Sequence, residues 1–287
     1  MSNTLFSLKE QLNQVEEFLK GLGHEASINS DEDKQKPEIV FAISLKSKKV
    51  SRDWERVQNN LSKTLRSIFN NTDQKFRIII AGHKKPCIEE LNDERVTWLS
   101  VKFPPPLNSV GFTSDKYRKR KVIGAYLRKH GFSGYFMPLD ADDWIHYRFV
   151  EYIRSLPVSD AFILNKGCMV NVFQREAWVR DGFFTGCGSS ALFYFSSEKL
   201  PDTSIEKDLQ TELFKWRHHG KVLQYLRKIN KSYTMVDYPL VTWVLAHGDN
   251  NSMIKKKMNN QISAERFNTV GEKLEEWFCE YFRILDK

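Results

Sequence analysis

Asp140, Asp142 and Asp143 place three carboxylates within four positions. Like charges held that close repel one another unless a positive partner sits among them. Carboxylate oxygens suit Mg²⁺ and Mn²⁺, and these ions bridge readily to phosphates. The chemistry indicated is transfer from a phosphorylated donor, with a metal neutralising the diphosphate that leaves. A second segment, His247-Gly248-Asp249-Asn250-Asn251-Ser252, closes an apolar run that starts at Tyr238. It offers an imidazole, a common metal ligand, and amides and a hydroxyl that can bond phosphate oxygens. A third group, Asp202, Glu206, Asp208, Glu212, His218 and His219, holds candidate general bases. Asp208 and Glu212 are one helical turn apart and share a face. A bare D-x-D is more often a loop or a helix cap, because Asp is common in both. Its place in the chain therefore matters.

That place is the end of a strand. Tyr135-Phe136-Met137-Pro138-Leu139 reads as a buried strand running straight into Asp140. Ligands of open α/β sheets bind beyond the carboxyl ends of the strands. Upstream, Ile39–Ile43, Phe76–Ala81 and Val96–Val101 read as further buried strands, with an amphipathic helix over Trp54–Phe69. After Pro104-Pro105-Pro106 a loop leads to a helix with Ser114 as its expected N-cap, ending at Gly131. More strands are expected at Ala161–Leu164, Met169–Phe173, Ala191–Phe195 and 233–237, and one or two helices over 206–229. Leu8, Leu12, Val15, Leu19 and Leu22 mark an N-terminal helix, followed by a polar linker, His24–Lys36. Phe267, Val270, Leu274, Trp277, Phe278, Tyr281 and Phe282 mark one long amphipathic helix over 263–285. The pattern is α/β and doubly wound, with a helical appendage at each end.

The chain has 287 residues, of which 41% are hydrophobic and 28% charged, as suits a globular protein with a substantial core. Its net charge of +8 favours anionic partners without choosing among nucleotides, nucleic acid and membrane surfaces. Cys87, Cys168, Cys187 and Cys279 are far apart and are expected as reduced thiols, with no zinc site. No apolar run approaches the ~20 residues of a membrane span. The N-terminus reads as an amphipathic helix and not as a signal peptide, so a cytoplasmic location is expected. The tail's aromatic stripe suits packing on the domain or on a second copy of the chain. Peripheral attachment at the inner face of a membrane stays open.

Leu-Asp-Ala-Asp-Asp after Gly-Tyr-Phe-Met-Pro resembles the D-x-D motif of GT-A glycosyltransferases, especially bacterial family 2-like enzymes. The resemblance covers roughly residues 37–255. It implies a Rossmann-like GT-A domain, doubly wound around a mixed sheet, over residues 37–262. Residues 37–145 would bind the nucleotide and 146–262 the acceptor, with 1–36 and 263–287 as appendages. Asp142 would be the main metal ligand, with Asp140 and Asp143 beside it and His247 completing the coordination. Asp140 would also face the donor's ribose. Ser44 and Arg52 would receive the base, and Asp115 and Lys119 would contact base, ribose or diphosphate. Gly188 and Ser189 would lie under the donor sugar, and Asn251 and Ser252 against the diphosphate. The family's usual acidic base is not identifiable, which leaves Asp208, Glu212 and His219 as candidates and the stereochemical outcome open.

The resulting expectation is a glycosyltransferase using Mn²⁺ or Mg²⁺ and a UDP-, GDP- or dTDP-sugar, with a saccharide or glycan acceptor. A nucleotidyltransferase of related fold ranks lower, because those enzymes carry a glycine-rich loop after the first strand and Ser44–Val50 has no glycine. A non-enzymatic nucleic-acid-binding protein ranks lower still. It would need a continuous basic stripe, whereas the basic clusters here alternate with acidic ones such as Glu89, Glu90, Asp93 and Glu94.

Overall fold

The computed structural model describes residues 7–26, 36–108, 110–203, 219–250 and 259–284. The first half runs α1 (Leu8–Ala26), β1 (Glu38–Ser44), α2 (Trp54–Phe69), β2 (Phe76–Gly82), β3 (Val96–Ser100), α3 (Phe112–Lys129) and β4 (Gly134–Leu139). Then follow α4 (Phe149–Ser155), β5 (Ala161–Leu164), β6 (Lys166–Asn171), β7 (Glu176–Asp181) and β8 (Ala191–Phe195). The last elements are α5 (Val222–Lys228), β9 (Thr234–Val236), β10 (Thr242–Leu245), β11 (Glu272–Lys273) and α6 (Glu276–Tyr281).

Seven strands form one mixed sheet in the order β3-β2-β1-β4-β8-β5-β9. β1 pairs in parallel with β2 and β4, and β2 with β3. β1 alternates between two cores. Ile39, Phe41 and Ile43 pack with Val57, Leu61, Leu65 and Ile68 of α2, while Val40 and Ala42 pack with Ile123 and Leu127 of α3. Both faces are covered, which is why the strand reads as an unbroken apolar run. Asp53 caps α2, its carboxylate accepting the Arg56 N–H at 3.0 Å.

β8 is antiparallel to both β4 and β5. Its register, Gly134 opposite Phe195 and Phe136 opposite Phe193, carries the residues before β8 to the carboxyl end of β4. A second sheet, β10-β6-β7-β11, stands beside the first. β10 lies parallel to β6, and so the segment after Leu245 emerges near the same edge. Ile145 bridges to Val241 and joins the end of β4 to this second sheet.

Three expectations are corrected. The tail is not one long helix. It breaks into a 3₁₀ turn at Ala264–Phe267, the short strand β11 and the short helix α6. Asn268 takes a left-handed backbone, φ 52°, and the β-branched pair Thr269-Val270 and Gly271 follow it, so helical propagation stops there. α3 starts at Phe112 behind Gly111 and not after Ser114. The Phe112 ring at the start of that helix is buried, with the Lys46 ammonium 5.7 Å from its centre. A strand absent from the sequence reading, β7, pairs along the whole of β6. α1 runs on through His24 to Ala26, into the stretch expected as linker, and 27–35 lie outside the described residues.

α1 packs on the domain. Leu8 and Leu12 lie in one cluster with Trp144, Cys168, Val170, Phe278 and Phe282. The appendages thus close over the chain segment that follows the Asp cluster. At their junction His146 is fully buried against Tyr147, Tyr281 and Phe282. Its Nδ1 accepts the Arg148 N–H at 3.2 Å, and Nε2 has no protein partner. All four cysteines are free thiols. Among the described residues, no helix is long and apolar enough to cross a membrane.

Burial, helped by Arg283 and Arg148, lowers the His146 pKa from the ordinary imidazole value near 6.5 to about 3. The unfolded chain therefore takes up a proton between pH 6.5 and 3 that the folded chain refuses. Stability is complete above pH 6.5 and should fall toward acid by up to ~1.4 kcal/mol per pH unit from this one group. His146→Asn keeps an acceptor for Arg148 and does not titrate. Urea unfolding from pH 7 to 5 should show a flatter profile for the variant, and identical slopes would refute the assignment.

Candidate active site

The site lies at the carboxyl edge of β1 and β4, where the cluster Asp140–Asp143 forms a turn with the Asp143 N–H 3.3 Å from the Asp140 carbonyl. Its three carboxylates have three different surroundings. Asp143 points inward and is fully buried. Oδ1 accepts the Val244 N–H at 3.0 Å, and Oδ2 accepts the Ser189 hydroxyl at 2.6 Å and the Cys187 thiol at 3.6 Å. Burial, followed by repulsion from Asp142 and Asp140, pushes the Asp143 carboxyl well above its usual range.

Asp140 sits half-buried and forms an ion pair with Lys116, near the start of α3. Burial alone would raise its pKa, but Lys116, Arg120 and His219 together hold the carboxyl below the usual range. Lys116 and Arg120 are one helical turn apart, so α3 presents both to the same carboxylate. Asp142 turns the other way. Its Oδ2 lies 2.6 Å from His247 Nε2 and accepts from the Asn250 amide at 3.3 Å.

The small-residue loop before β8 closes the floor. Ser189 accepts the Asp140 N–H at 2.9 Å and donates to Asp143, which makes it a buried link between the two. A Cβ on Gly188 would stand 3.1 Å from Asp140 Oδ2 and 3.4 Å from Lys116 Nζ. A side chain here would press on the ion pair, which glycine avoids.

On the β1 side, the Ser44 hydroxyl donates to the Lys116 carbonyl at 3.1 Å and ties the strand end to α3. Lys119 is fully buried, bonded to the Leu45 carbonyl at 2.7 Å and paired with Asp115. Burial lowers the Lys119 pKa and Asp115 opposes that shift. Asp115 Oδ2 faces Lys119, while its buried Oδ1 has no hydrogen-bond partner and lies 3.8 Å from His83. The Arg52 N–H and guanidinium reach across to Asp249 and to the Gly248 carbonyl, at 3.1 and 3.4 Å.

The structure therefore gathers Ser44, Arg52, Asp115, Asp140, Asp142, Gly188 and His247 around one edge. Three of the expected site residues are held by protein partners: Asp143 and Ser189 are buried with their oxygens bonded to protein groups, and the Lys119 ammonium bonds Asp115 and the Leu45 carbonyl. Asp208, Glu212, Asn251 and Ser252 lie outside the described residues. Among the described residues, no three His, Cys, Asp or Glu side chains are already gathered as a metal cage. Sequence reasoning expected one or two of the basic residues of α3 to serve the site but singled out Lys119, and it gave Asp249 no role. The five cations from Lys116 to Lys121 include two that face Asp140, but only helical phase relative to β4 selects them.

No protein-family model matches the chain, and no curated protein matches it. Among solved structures it is similar to HddC from Yersinia pseudotuberculosis, at 15% identity and a TM-score of 0.37, over 70% of this chain and 89% of that one. It is similar to the inositol-1-phosphate CTP transferase from T. maritima, at 12% identity and TM-score 0.41, over 78% and 96%. It is also similar to the glycosyltransferase GlyE of Streptococcus pneumoniae TIGR4, at 14% identity and TM-score 0.40, over 88% and 61%. Likenesses of this extent leave the activity to be argued from the site's own chemistry.

The division between buried scaffold and open carboxylate is measurable. Asp143→Ala strips the Val244 N–H and the Ser189 hydroxyl of their acceptor and should cost about 2–3 kcal/mol in urea unfolding. Asp143→Asn, nearly the same shape, should recover most of that loss. Asp142→Ala should stay within about 1 kcal/mol of wild type. Equal losses at 142 and 143 would show that the two do not differ in role.

Proposed function

We propose that the chain is a metal-dependent glycosyltransferase that moves a sugar from a nucleoside-diphosphate donor to a saccharide or glycan hydroxyl. The observation that carries this is the meeting of Asp142 and His247 at 2.6 Å beside the Asp140–Lys116 pair, at the carboxyl edge of a mostly parallel sheet. The donor set fits a divalent ion by its chemistry. Two carboxylates and an imidazole are hard or borderline ligands for Mn²⁺ or Mg²⁺. Mg²⁺ in particular is held by one or two carboxylates plus substrate phosphates and water, and does not need a finished protein cage. Asp140, Asp142 and His247 would hold the ion, which when bound supplies charge neutralisation for the leaving diphosphate.

The remaining roles belong to this chain's own groups. Asp115 Oδ1, buried and without a partner, suits the N–H edge of a uracil, thymine or guanine base. Ser44 and Arg52 line the same loop, where the base would lie. Lys116 and Arg120 suit the diphosphate once Lys116 shares Asp140 with the ion. Gly188 leaves room for the donor sugar above Asp140. The acceptor oxygen forms its bond to the anomeric carbon as the bond to the diphosphate breaks. The hydroxyl proton passes to a base, for which His219, Asp208 and Glu212 are the candidates.

Melting temperature measured with UDP, GDP and dTDP sugars, with and without Mn²⁺, tests the reading. One of the three, together with metal, should raise it by roughly 5 °C at a hundredfold excess over Kd. Asp142→Ala should abolish the metal-dependent part. Stabilisation by a nucleoside triphosphate alone would favour a nucleotidyltransferase. Indifference to every nucleotide, with salt-sensitive RNA or DNA binding, would favour a nucleic-acid-binding protein.

A further inference from the structure

We propose that Asp249 is the positioning residue that holds His247 opposite Asp142, by fastening the His247 loop to the nucleotide-side loop after β1; the inference rests on the metal reading above. The Asp249 side chain is 1% exposed. Oδ1 accepts the Lys46 ammonium at 2.5 Å and the Arg52 N–H at 3.1 Å, and Oδ2 accepts the Asp53 N–H at 3.1 Å. Lys46 also donates to the Asp249 carbonyl at 2.7 Å. One carboxylate thus collects three donors from residues 46, 52 and 53, all lying between β1 and α2. A buried carboxylate so placed is both satisfied and anchored.

The neighbouring peptides are held from the same side. Arg56 donates to the His247 carbonyl at 3.0 Å and Arg52 to the Gly248 carbonyl at 3.4 Å. Ala246 and Gly248 take left-handed backbone, φ 64° and 91°. Such conformations persist where the surroundings over-determine them. At Gly248 a Cβ would lie 2.2 Å from an Arg56 guanidinium nitrogen, so the loop and α2 are in close contact. On the other side Asn250 accepts the His247 N–H at 3.0 Å and donates to the Val244 carbonyl at 2.9 Å. The Asp249 N–H lies 3.4 Å from His247 Nδ1, which leaves the opposite ring nitrogen to face Asp142.

Asp249 bonds to neither Asp140 nor Asp142. It acts through the place it gives His247. The loop that would receive the base and the imidazole that would receive the metal therefore share one buried fastening. Loosening it should weaken metal uptake more than it weakens the fold.

Mn²⁺ uptake by the full chain, read from loss of the free-ion spin-resonance signal with saturating UDP, GDP or dTDP, provides the test. Wild type should bind Mn²⁺ with one of the three. Asp249→Ala should weaken that binding by about tenfold or more, the equivalent of one lost charged fastening. Asp249→Asn keeps the shape and an acceptor for Lys46 or Arg52, and should weaken it by roughly threefold. It also guards against a variant that simply fails to fold. Lys231→Ala breaks the 2.8 Å ion pair to Asp160 at the opposite end of the sheet and should leave Mn²⁺ binding unchanged. Wild-type affinity in both Asp249 variants, or equal weakening in Lys231→Ala, overturns the proposal alone. Wild type taking up no Mn²⁺ with any nucleotide overturns it together with the metal reading.

Discussion

Negative charge is concentrated at the end of one buried strand, and the surrounding chain is arranged to disperse it. Asp143 is drawn inward, given hydroxyl and N–H donors, and biased toward its neutral form by burial. Asp140 is offset by cations of α3. Asp142 is left with an imidazole and an amide. Ionised and unpartnered, three carboxylates at this spacing would repel one another. The outcome is a buried anchor and two open carboxylates with different company.

This division needs four segments that are distant in the chain. α3 delivers Lys116 and Arg120, the turn after β4 delivers the carboxylates, and the loop before β8 delivers Gly188 and Ser189. The end of β10 delivers His247. The antiparallel β8 is the decisive piece of topology. By running against β4 it presents its leading loop, and not its trailing one, at the carboxyl edge of the parallel strands. The second sheet does the same for β10 through its parallel pairing with β6.

The apolar strands, the α2 helix and the D-x-D turn were legible in the sequence because each depends on local pattern. An apolar run covered on both faces, a capped amphipathic helix and a polar cluster after a strand have signatures within ten residues or so. The tail helix was misread because its aromatic spacing fits a helix, while Asn268 and Gly271 break the backbone and β11 pairs with β7 instead. The pairing partner lies far up the chain, and nothing near residue 272 announces it. Ser114 looked like a cap for a similar reason. Phe112 begins the helix earlier because its ring has a buried place to go, against a lysine from the β1 loop.

The residue types of the site were fixed by sequence alone. Acidic, imidazole and small residues stand where the chain has no other evident use for them, and each type carries its chemistry wherever it is folded. What each member does was decided by tertiary structure. Asp140, Asp142 and Asp143 are the same side chain, yet one faces a lysine, one a histidine and one the protein interior. Lys116 and Lys119 differ only in helical phase, and that phase makes one a partner of Asp140 and the other a buried brace for Leu45. Charge and hydrogen-bonding capacity are properties of a residue. Solvation and partners, which determine whether that charge is exposed, neutralised or available, are properties of a place, and places exist only once the sheets have closed.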